Sequence, residues 1–492
     1  MKYAVVAVLL VGFAGCNDIL EDVEPPTSVS GELALSSPEG INALRASMYS
    51  KIRENFGFTT NYFIGPSAFA DEARIRPGAT RYDNLNSAIG TSGTAHLSFW
   101  SNAANSNAYN IIQDANLLAG AIPDGVIPAA TADRYRGEAL AIRAFVYHNL
   151  VKLYGYEPGN FGQGPEGNWD AGVILRTEPV IDVADADLRP RASVTDVYTQ
   201  ILQDLAQAKT LLSGLNDNNT FPTEAFVDGI AARAHLYAGN WSEASAAAQA
   251  AIANFPGSLQ DSDAAVANMF DETAGNHPEA LFKIVVNQNT ENSTGGGSFV
   301  NNGPAGYSSD QWVSQLPTQF LLDKYEEGDY RLGWYRPCGE AQRIGAPASN
   351  CDAVNDGGFS LVKFNGVKGN AVDDLPYMRL AEMYLIWAEA AGKAANDPNA
   401  GVAALEALRD ARNAGTVPSF GSITEMENFI LDERMRELAF EGHRFYDLKR
   451  LQRDIRNPNG SIKMFADSYR ILAPIGNTLI GVNPQLVENP GY

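Results

Sequence analysis

One stretch of the chain, FVDGIAARAHLYAGNWSEASAAAQAAIANFP, constrains the fold most because small residues recur in it at regular spacings. It reads as a helix, a Gly-Asn turn and a second helix. Two helices can touch closely only where their side chains are small, and Ala232, Ala244 and Ala251 supply such positions. Gly239 allows the backbone to turn after the first helix, and Pro256 closes the second. The stretch therefore predicts a tightly packed helix pair.

A second helix pair is predicted over residues 378–413, and imperfect copies lie upstream. The small residues and the final proline of the first pair fall at the spacings of a tetratricopeptide repeat. Such repeats stack their helices and present a concave face. We therefore predict a mainly α fold, a tetratricopeptide-like helical-repeat scaffold with a loop-rich second lobe that contains short strands. Trp241 and Trp387 lie within helix patterns and are expected in the core.

The N-terminal segment combines an export signal with a lipidation site. Lys2 precedes an apolar run over residues 4–14, which is shorter than the ~20 residues that span a bilayer and fits a secretory signal peptide. The run ends in Phe-Ala-Gly-Cys, which looks like a bacterial lipobox with Phe13 in place of the usual Leu. We expect residues 1–15 to be the signal and Cys16 to carry lipid. Ordinary secretion without lipid is the alternative.

The charge balance excludes several classes of partner. The chain has 36 basic and 58 acidic residues, a formal net charge of −22. Binding nucleic acid requires a basic face, and no run rich in Lys or Arg is present. An anionic membrane surface would also repel the protein, so we expect attachment through the lipid rather than a polybasic patch.

Composition divides the rest of the chain into four segments. They are the lipidated tether 16–35, the N-terminal helical region 36–256 with tetratricopeptide-like pairs, the loop-rich lobe 257–376 with short strands and the C-terminal helical region 377–492. Helices are predicted after Ser36 or Ser37 and over 100–119, 131–154 and 193–212, whereas 57–98 lose helical periodicity. The sequence EALFKIVVNQN predicts a strand in the loop-rich lobe.

Cysteine and histidine usage favours a disulfide over a metal site. Cys338 and Cys351 are close in sequence, and an exported chain can oxidise them, which would contribute roughly 3 kcal/mol. Zinc would require two further ligands, and no His lies between residues 278 and 442. A metal and two free thiols remain the alternatives. A structural calcium near DAVNDGG is also open, although its acids lack EF-hand spacing; no other cofactor is expected.

Three glutamates test whether the protein is an enzyme. Glu433, Glu437 and Glu441 are four residues apart and share one helix face. Paired carboxylates can hydrolyse glycosides, but Arg434 and Arg436 lie among them, and ion pairs along a helix are the commoner use of such a pattern. No nucleophile elbow of the Gly-x-Ser-x-Gly type occurs. We therefore predict binding without catalysis and no catalytic residue.

Two regions combine the aromatic, amide and carboxylate groups that sugar binding requires. The candidates in the first region are Asp71, Arg81, Tyr82, Trp100 and Asn102. The candidates in the second are Tyr307, Trp312, Trp334 and Tyr335. Trp100 also begins a predicted helix, and a core position would explain it equally well.

The C-terminal sequence LDERMRELAFEGHRFYDLKRL, residues 431–451, resembles the signature of the RagB/SusD family of nutrient-binding outer-membrane lipoproteins. GEALAIRAFVYHNLVKLYGYEP, LPYMRLAEMYLIWAEA and the lipidated start CNDILEDVEP are similar to further family segments in the expected order. The resemblance covers most of residues 16–460 and is specific in combination.

The resemblance implies a SusD-like, surface-exposed lipoprotein that is lipid-anchored in the outer membrane. Such a protein caps a SusC-like TonB-dependent transporter as a hinged lid, captures an oligosaccharide and delivers it. Asp18, Glu21 and Asp22 resemble the signal for the outer face, and Trp100 lies near a Trp that some members use. Three alternatives stay open: a peptide-binding lid of the same transporter type, a surface glycosidase, and a purely structural interaction protein.

Overall fold

The computed structural model describes residues 31–53, 58–75, 108–181, 187–271, 277–286, 315–337, 358–364, 373–457 and 459–492. The predicted signal peptide, Cys16, the predicted disulfide between Cys338 and Cys351, and the candidate calcium segment DAVNDGG lie outside these residues. The predictions made for them stay predictions.

Helices form most of the described chain. In chain order they are α1 (Gly31–Leu35), α2 (Pro38–Arg53), α3 (Phe58–Phe69), α4 (Ala108–Gly120), α5 (Ala129–Tyr154), α6 (Val194–Leu211), α7 (Glu224–Ala238), α8 (Trp241–Asn254), α9 (Asp263–Ala267), α10 (Gln319–Leu322), α11 (Leu380–Ala395), α12 (Val402–Ala411), α13 (Ile423–Glu437), α14 (Arg444–Arg450) and α15 (Asn477–Val482). Two short 3₁₀ helices cover Tyr330–Trp334 and Tyr469–Ile471. The mainly α prediction is confirmed.

Within the residues that the structure describes, the short strands pair in four antiparallel ladders. They are β1 (Ala73–Ile75) with β3 (Gln315–Pro317), β2 (Ala280–Ile284) with β6 (Leu375–Arg379), β4 (Tyr335–Pro337) with β5 (Phe359–Leu361), and β7 (Ile455–Arg456) with β8 (Ile462–Met464). The strand predicted from EALFKIVVNQN is β2, which confirms that expectation. Most of these ladders join segments that are far apart in sequence.

The predicted repeat pair is helices α7 and α8. Gly239 ends α7 with a φ of 74°, and its N–H donates to carbonyls of the last turn. Ala232, Ala244 and Ala251 are fully buried, which lets α7 and α8 pack along their lengths. Small side chains and a left-handed glycine therefore produce this antiparallel pair, as their spacing predicts.

The second predicted pair is α11 and α12, and α11 also packs against α8. Asn396 ends α11 in the left-handed conformation, with a φ of 49°, which Asn adopts more readily than most residues. Trp241 and Trp387 are partly buried and pack against the apolar cores. The two helix pairs thus form one stacked scaffold, in agreement with the tetratricopeptide-like prediction.

Helix starts follow the capping residues of the sequence. The Ser37 hydroxyl accepts a hydrogen bond from the Gly40 N–H at 3.1 Å at the start of α2. Ser193 accepts from the Asp196 N–H at 3.0 Å at the start of α6. Each serine satisfies an N–H that has no partner within its helix. The predicted starts of these helices are therefore confirmed within a residue or two.

Helix α3 corrects the expectation that residues 57–98 lack helical structure. Its sequence, FTTNYFIGPSAF, contains Thr, Gly and Pro, which have low helix propensity. Tyr62, Phe63 and Phe69 from this helix are nonetheless buried. The free energy of burying these side chains outweighs the weak local preference, because tertiary packing supplies most helix stability in proteins.

An aromatic cluster joins α3 to the centre of the scaffold. The ring of Tyr62 lies 4.8 Å from that of Tyr377 in β6, centroid to centroid. The ring of Phe145 in α5 lies 5.5 Å from Tyr377 and 5.9 Å from Phe226 in α7. These edge-on contacts are favourable beyond the apolar area that they bury. The cluster fixes α3, and therefore β1 directly after it, against the helical scaffold.

None of the helices in the described ranges is both long enough and apolar enough to cross a membrane.

Candidate ligand-binding site

The ladder of β1 and β3, called here the stem ladder, joins the two regions predicted to bind a ligand. Ala73 pairs with Pro317, Arg74 with Leu316, and Ile75 with Gln315. The first candidate region continues directly from Ile75, and the second leads directly into Gln315. Two segments that are some 240 residues apart in sequence therefore leave the described structure at the same register position. Local sequence patterns gave no sign of this pairing.

Thr318 ties the lower end of the stem ladder together. Its hydroxyl donates to the Asp71 carbonyl oxygen at 2.8 Å, and its N–H donates to the Glu72 carbonyl oxygen at 3.0 Å. The same hydroxyl accepts from the Leu321 N–H and caps α10. One side chain thus joins β1, β3 and the short helix that follows.

Asp71 was predicted to contact ligand, and the structure corrects that expectation. Its carboxylate accepts two hydrogen bonds from the Arg444 guanidinium, at 2.7 and 2.9 Å. Only 5% of Asp71 is exposed. A bidentate, buried ion pair uses both carboxylate oxygens. Asp71 therefore anchors the stem ladder to α14 instead of presenting an acid to a ligand.

Glu72 is a buried carboxyl at the base of the stem ladder. Its Oε1 accepts from the Phe440 N–H at 3.2 Å, and its Oε2 has no hydrogen-bond partner in the part of the chain described. Burial raises the pKa of Glu72 to about 7, because the charged form loses its hydration. Near neutral pH this residue is therefore balanced between its neutral and ionised forms.

The turn between α13 and α14 holds the base of the stem ladder. Phe440 has a φ of 62° and Gly442 a φ of 83°. A Cβ on Gly442 would meet the Tyr62 carbonyl oxygen at 2.0 Å, so no larger residue fits there. The sequence pattern that identifies residues 431–451 is therefore also the element that positions β1.

A network of buried charges, called here the charged core, lies beside this turn. Its members are Glu279, Asp329, Arg331, Lys363, Arg379, Arg409, Arg412, Glu433, Arg436, Glu437 and Glu441, and every one is buried. Acidic and basic side chains alternate through the network. Alternation is required here, because a buried charge is tolerated only when opposite charges pair with it.

Glu437 lies at the centre of the charged core. Its carboxylate accepts hydrogen bonds from Arg331 at 3.1 Å, from Arg379 at 3.0 Å and from Arg412 at 3.0 and 3.1 Å. Burial alone would raise the pKa of Glu437, but these three guanidinium groups hold it well below its usual value. Glu437 is therefore a permanently ionised structural residue.

Glu433 is used in the same way: it accepts from Arg331 at 2.7 Å and from Arg409 and Arg436 at 2.5 Å. Burial acts to raise its pKa, but the surrounding cations hold the pKa at about 2. Such a group cannot donate a proton near neutral pH, which a glycosidase acid must do. Of the ion pairs predicted along the helix, Glu433 with Arg436 is confirmed. Glu441 lies beyond the end of α13, which corrects its placement on the same helix face, and it accepts from Lys363 and Arg379.

Trp334 and Tyr335 also correct the predicted ligand set. Trp334 is fully buried; its indole N–H donates to the Val266 carbonyl oxygen at 2.8 Å, and the Lys363 ammonium lies 4.1 Å from its ring centroid. Tyr335 is 5% exposed, and its hydroxyl lies 3.0 Å from that of Tyr325. Trp334 ends the 3₁₀ helix before β4, and Tyr335 begins β4. Both side chains lie inside the core, so they support the scaffold.

The other candidates lie outside the described residues. They are Arg81, Tyr82, Trp100, Asn102, Tyr307 and Trp312. Along the chain, the described element nearest to Arg81, Tyr82, Tyr307 and Trp312 is the stem ladder. The element nearest to Trp100 and Asn102 is α4, which begins at Ala108. Their role in binding stays a prediction.

Within the described residues, no group of three or more His, Cys, Asp or Glu side chains is arranged to hold a metal ion. The acids that cluster most densely, those of the charged core, are already paired with guanidinium and ammonium groups.

Comparison with known proteins agrees with the resemblance in the sequence. Residues 340–492 match the model of the SusD family. Residues 23–236 match a family described as starch-binding and associating with the outer membrane. Together these two matches include the stem strand β1, most of the first repeat helix α7, and α13 and α14 with the turn of residues 438–443 between them, called here the signature turn.

Two SusD-like proteins of Formosa agariphila are each 25% identical to this chain. The alignments cover 97% of this chain and 96% of one relative, and 99% of this chain and 98% of the other. These relatives therefore share its whole length.

Solved structures share the fold. A SusD superfamily protein from Bacteroides thetaiotaomicron is 22% identical, with a TM-score of 0.73 over 92% of this chain and 100% of that one. A SusD-like carbohydrate-binding protein from Bacteroides vulgatus is 20% identical, with a TM-score of 0.72 over 92% of this chain and 97% of that one. The SusD-like architecture predicted from the sequence is therefore confirmed.

Proposed function

Because the chain belongs to the RagB/SusD family, we propose that it binds an oligosaccharide at the cell surface and delivers it to a SusC-like TonB-dependent transporter. The starch-binding description of the family matched by residues 23–236 supports a carbohydrate ligand. That family's association with the outer membrane supports the proposed location. In this proposal Cys16 carries the lipid anchor and no covalent chemistry is performed on the ligand.

The single observation that carries the proposed site is the stem ladder. Trp312 is three residues from Gln315, and Arg81 is six residues from Ile75. A chain extends at most ~3.3–3.6 Å per residue, so these separations correspond to at most roughly 10–20 Å of backbone. We propose that the two segments converge there on one ligand, with Trp100 and Trp312 binding the apolar faces of sugar rings and Asn102 and Arg81 binding hydroxyl groups.

The buried anchors below the stem ladder support this proposal. Asp71 with Arg444, and Glu72 with the Phe440 N–H, fix the base of β1 against the signature turn. A ligand site must be held by rigid elements, because binding that first orders its own loops loses affinity. The charged core supports that rigidity, because Lys363 donates to the Glu437 and Ala439 carbonyl oxygens and Arg379 donates to the Glu437 carbonyl oxygen at this turn.

Calorimetric titration of a soluble form lacking residues 1–16 tests the proposal. Panels of neutral oligosaccharides and of peptides are titrated, and each mixture is analysed for cleavage products. We expect saturable binding of an intact oligosaccharide. Trp100→Ala and Trp312→Ala should each weaken it at least tenfold, since each removes the large apolar ring face on which a sugar ring would pack.

Phe465→Ala is the matched control. Phe465 is an aromatic residue that is 58% exposed and lies in the C-terminal region, so its removal should leave affinity unchanged. Binding of peptides alone would replace the oligosaccharide with a peptide ligand. Cleavage of a glycan would overturn the proposal that the protein performs no chemistry.

A further inference from the structure

A second cavity, of about 590 Å³, lies away from the stem ladder. The loop of residues 216–219, the end of α8 at Phe255 and the segment around His277 surround it. None of its lining residues belongs to β1 or β3. A cavity of this size is within the range of small-molecule sites in proteins.

The loop supplies polar groups that the fold leaves unused. Asn216 accepts from the Ala225 N–H at 2.9 Å through Oδ1, and Asn218 accepts from the Thr220 N–H at 3.0 Å through Oδ1. Their amide NH₂ groups make no hydrogen bond within the described chain. Asn219 is reversed: its NH₂ donates to the Ala280 carbonyl oxygen at 2.8 Å, which leaves Oδ1 as an acceptor. The exposed Asp217 carboxylate adds a second acceptor.

His277 forms part of the wall of the same cavity. It is 1% exposed, and its Nδ1 accepts from the Glu279 N–H at 3.2 Å. The ring proton of the neutral form therefore lies on Nε2, which is itself buried. Burial lowers the pKa of His277 well below its usual value, so the ring is neutral at physiological pH. The ring therefore adds an uncharged wall to the cavity rather than a donor that a ligand reaches.

The chemistry of this lining fits a neutral ligand rich in hydroxyl groups. A hydroxyl both donates and accepts, and the cavity offers NH donors on Asn216 and Asn218 beside acceptors on Asp217 and Asn219. Phe255, which is half-buried, adds apolar surface for the C–H face of a ring. Among the described residues that line the cavity there is no Lys or Arg to neutralise an anion.

We propose that this cavity is a second saccharide subsite that holds one or two neutral sugar units. The inference deepens the proposed function, on which it rests for the class of ligand. The two sites are nevertheless separate in their residues, so each can fail without the other. A second subsite would let the protein bind a longer or branched glycan at two points, which raises its affinity by effective concentration.

Fluorine NMR gives a local test. 4-Fluorophenylalanine is placed at position 255 in the full-length mature protein, which is titrated with maltose, cellobiose, laminaribiose, mannobiose and xylobiose up to tens of millimolar. We expect the fluorine resonance to move saturably with at least one disaccharide. Asp217→Ala should weaken that binding about tenfold or more, because a hydrogen bond to a charged group contributes about 1.5–3 kcal/mol.

Controls separate this subsite from the proposed loop site. Asp124→Ala removes an exposed turn carboxylate elsewhere and should change nothing, and Trp312→Ala should leave the fluorine shift intact. Absence of a shift with all five sugars, a shift that Asp217→Ala does not weaken, or a shift produced by calcium chloride instead would each overturn the inference. If the fluorinated protein does not fold, calorimetry of the Trp100→Ala Trp312→Ala double variant applies the same test. Residual disaccharide binding that Asp217→Ala weakens would support the subsite. No residual binding would overturn it.

Discussion

Helices α7 and α8 meet through alanines, whereas the charged core joins α12, α13 and β6 through guanidinium and carboxylate groups. Ala244 and Ala251 need only leave space for the neighbouring helix, and several small side chains could do so. Glu437 must receive three particular guanidinium groups, and each of those needs an acid in return. The helix pair therefore requires only side chains of small size, whereas the charged core requires particular partner residues.

The same contrast separates what the sequence could predict from what it could not. The repeat pair is local, so the spacing of Ala232, Gly239 and Ala251 predicted its helices and turn. The spacing of Glu433 from Arg436 in α13 predicted ion pairing rather than a catalytic pair. It could not identify Arg331, Arg379 and Arg412 as partners, because these lie far away or on other elements.

The candidate site shows the limit more clearly. Aromatic and amide composition drew attention to two regions, but the pairing of Ile75 with Gln315, from which the two regions continue, was not visible in it. Composition also misplaced Trp334 and Asp71, because an aromatic or acidic residue beside a Gly-rich loop looks the same whether it faces solvent or the core. The sequence could not show that Asp71 pairs with Arg444, because the two residues are far apart along the chain and meet only in the folded structure.

The largest effect is expected from removing a charge at the centre of the charged core. Glu437→Gln keeps the size of the side chain but leaves three buried guanidinium groups short of an acid. We expect the free energy of unfolding to fall by about 3–5 kcal/mol in urea titrations, as for other broken buried pairs. The matched control is Glu406→Gln, on the exposed face of α12, which should change it by less than about 0.5 kcal/mol. Equal effects of the two substitutions would contradict the distinct role of the charged core.

The next effect concerns Glu72 and depends on pH. Its pKa is raised from 4.5 to about 7 in the folded protein, so the folded state binds the extra proton. Its stabilising contribution is complete below pH 4.5 and is lost as pH rises through 7. At about 1.4 kcal/mol per pKa unit, the loss by pH 8 is on the order of 3 kcal/mol. Glu72→Gln, which cannot ionise, should remove this part of the pH dependence of unfolding.

The measurement for Glu72 is the free energy of unfolding of both proteins at several pH values from 5 to 8. The variant should gain stability relative to the wild type as pH rises. Parallel curves for the two proteins would mean that Glu72 has an ordinary pKa and does not contribute to the pH dependence of the free energy of unfolding.

A smaller effect is expected in the helix pair. Ala244→Leu adds bulk where α7 and α8 touch, and overpacking of this kind costs about 1–3 kcal/mol. Ala246→Leu, on the exposed face of the same helix, is the control and should be near neutral. Thermal unfolding of both variants tests this. If the buried leucine is tolerated as well as the exposed one, close helix contact is not what the alanines provide.

The smallest effect is expected at the turn of that pair. Gly239→Ala places a Cβ on a residue with a φ of 74°, and its nearest neighbour outside the turn is the Trp241 ring at 3.6 Å. The cost is therefore conformational strain alone, about 1 kcal/mol, measurable as a shift of the urea midpoint with an unchanged slope. Gly214→Ala, which also has a positive φ but has open space around it, should cost a similar amount and shows whether the α7–α8 turn is special.

The central claim is that the stem ladder brings two distant segments onto one ligand. A double-mutant cycle of Trp100→Ala and Trp312→Ala, measured by calorimetry with the tightest-binding oligosaccharide, tests it most directly. If both side chains bind one ligand, each substitution alone weakens binding of the same oligosaccharide, and the double variant binds it more weakly than either single variant. A loss from only one of the two substitutions, or from neither, would show that the segments do not act on the same ligand and would contradict the account.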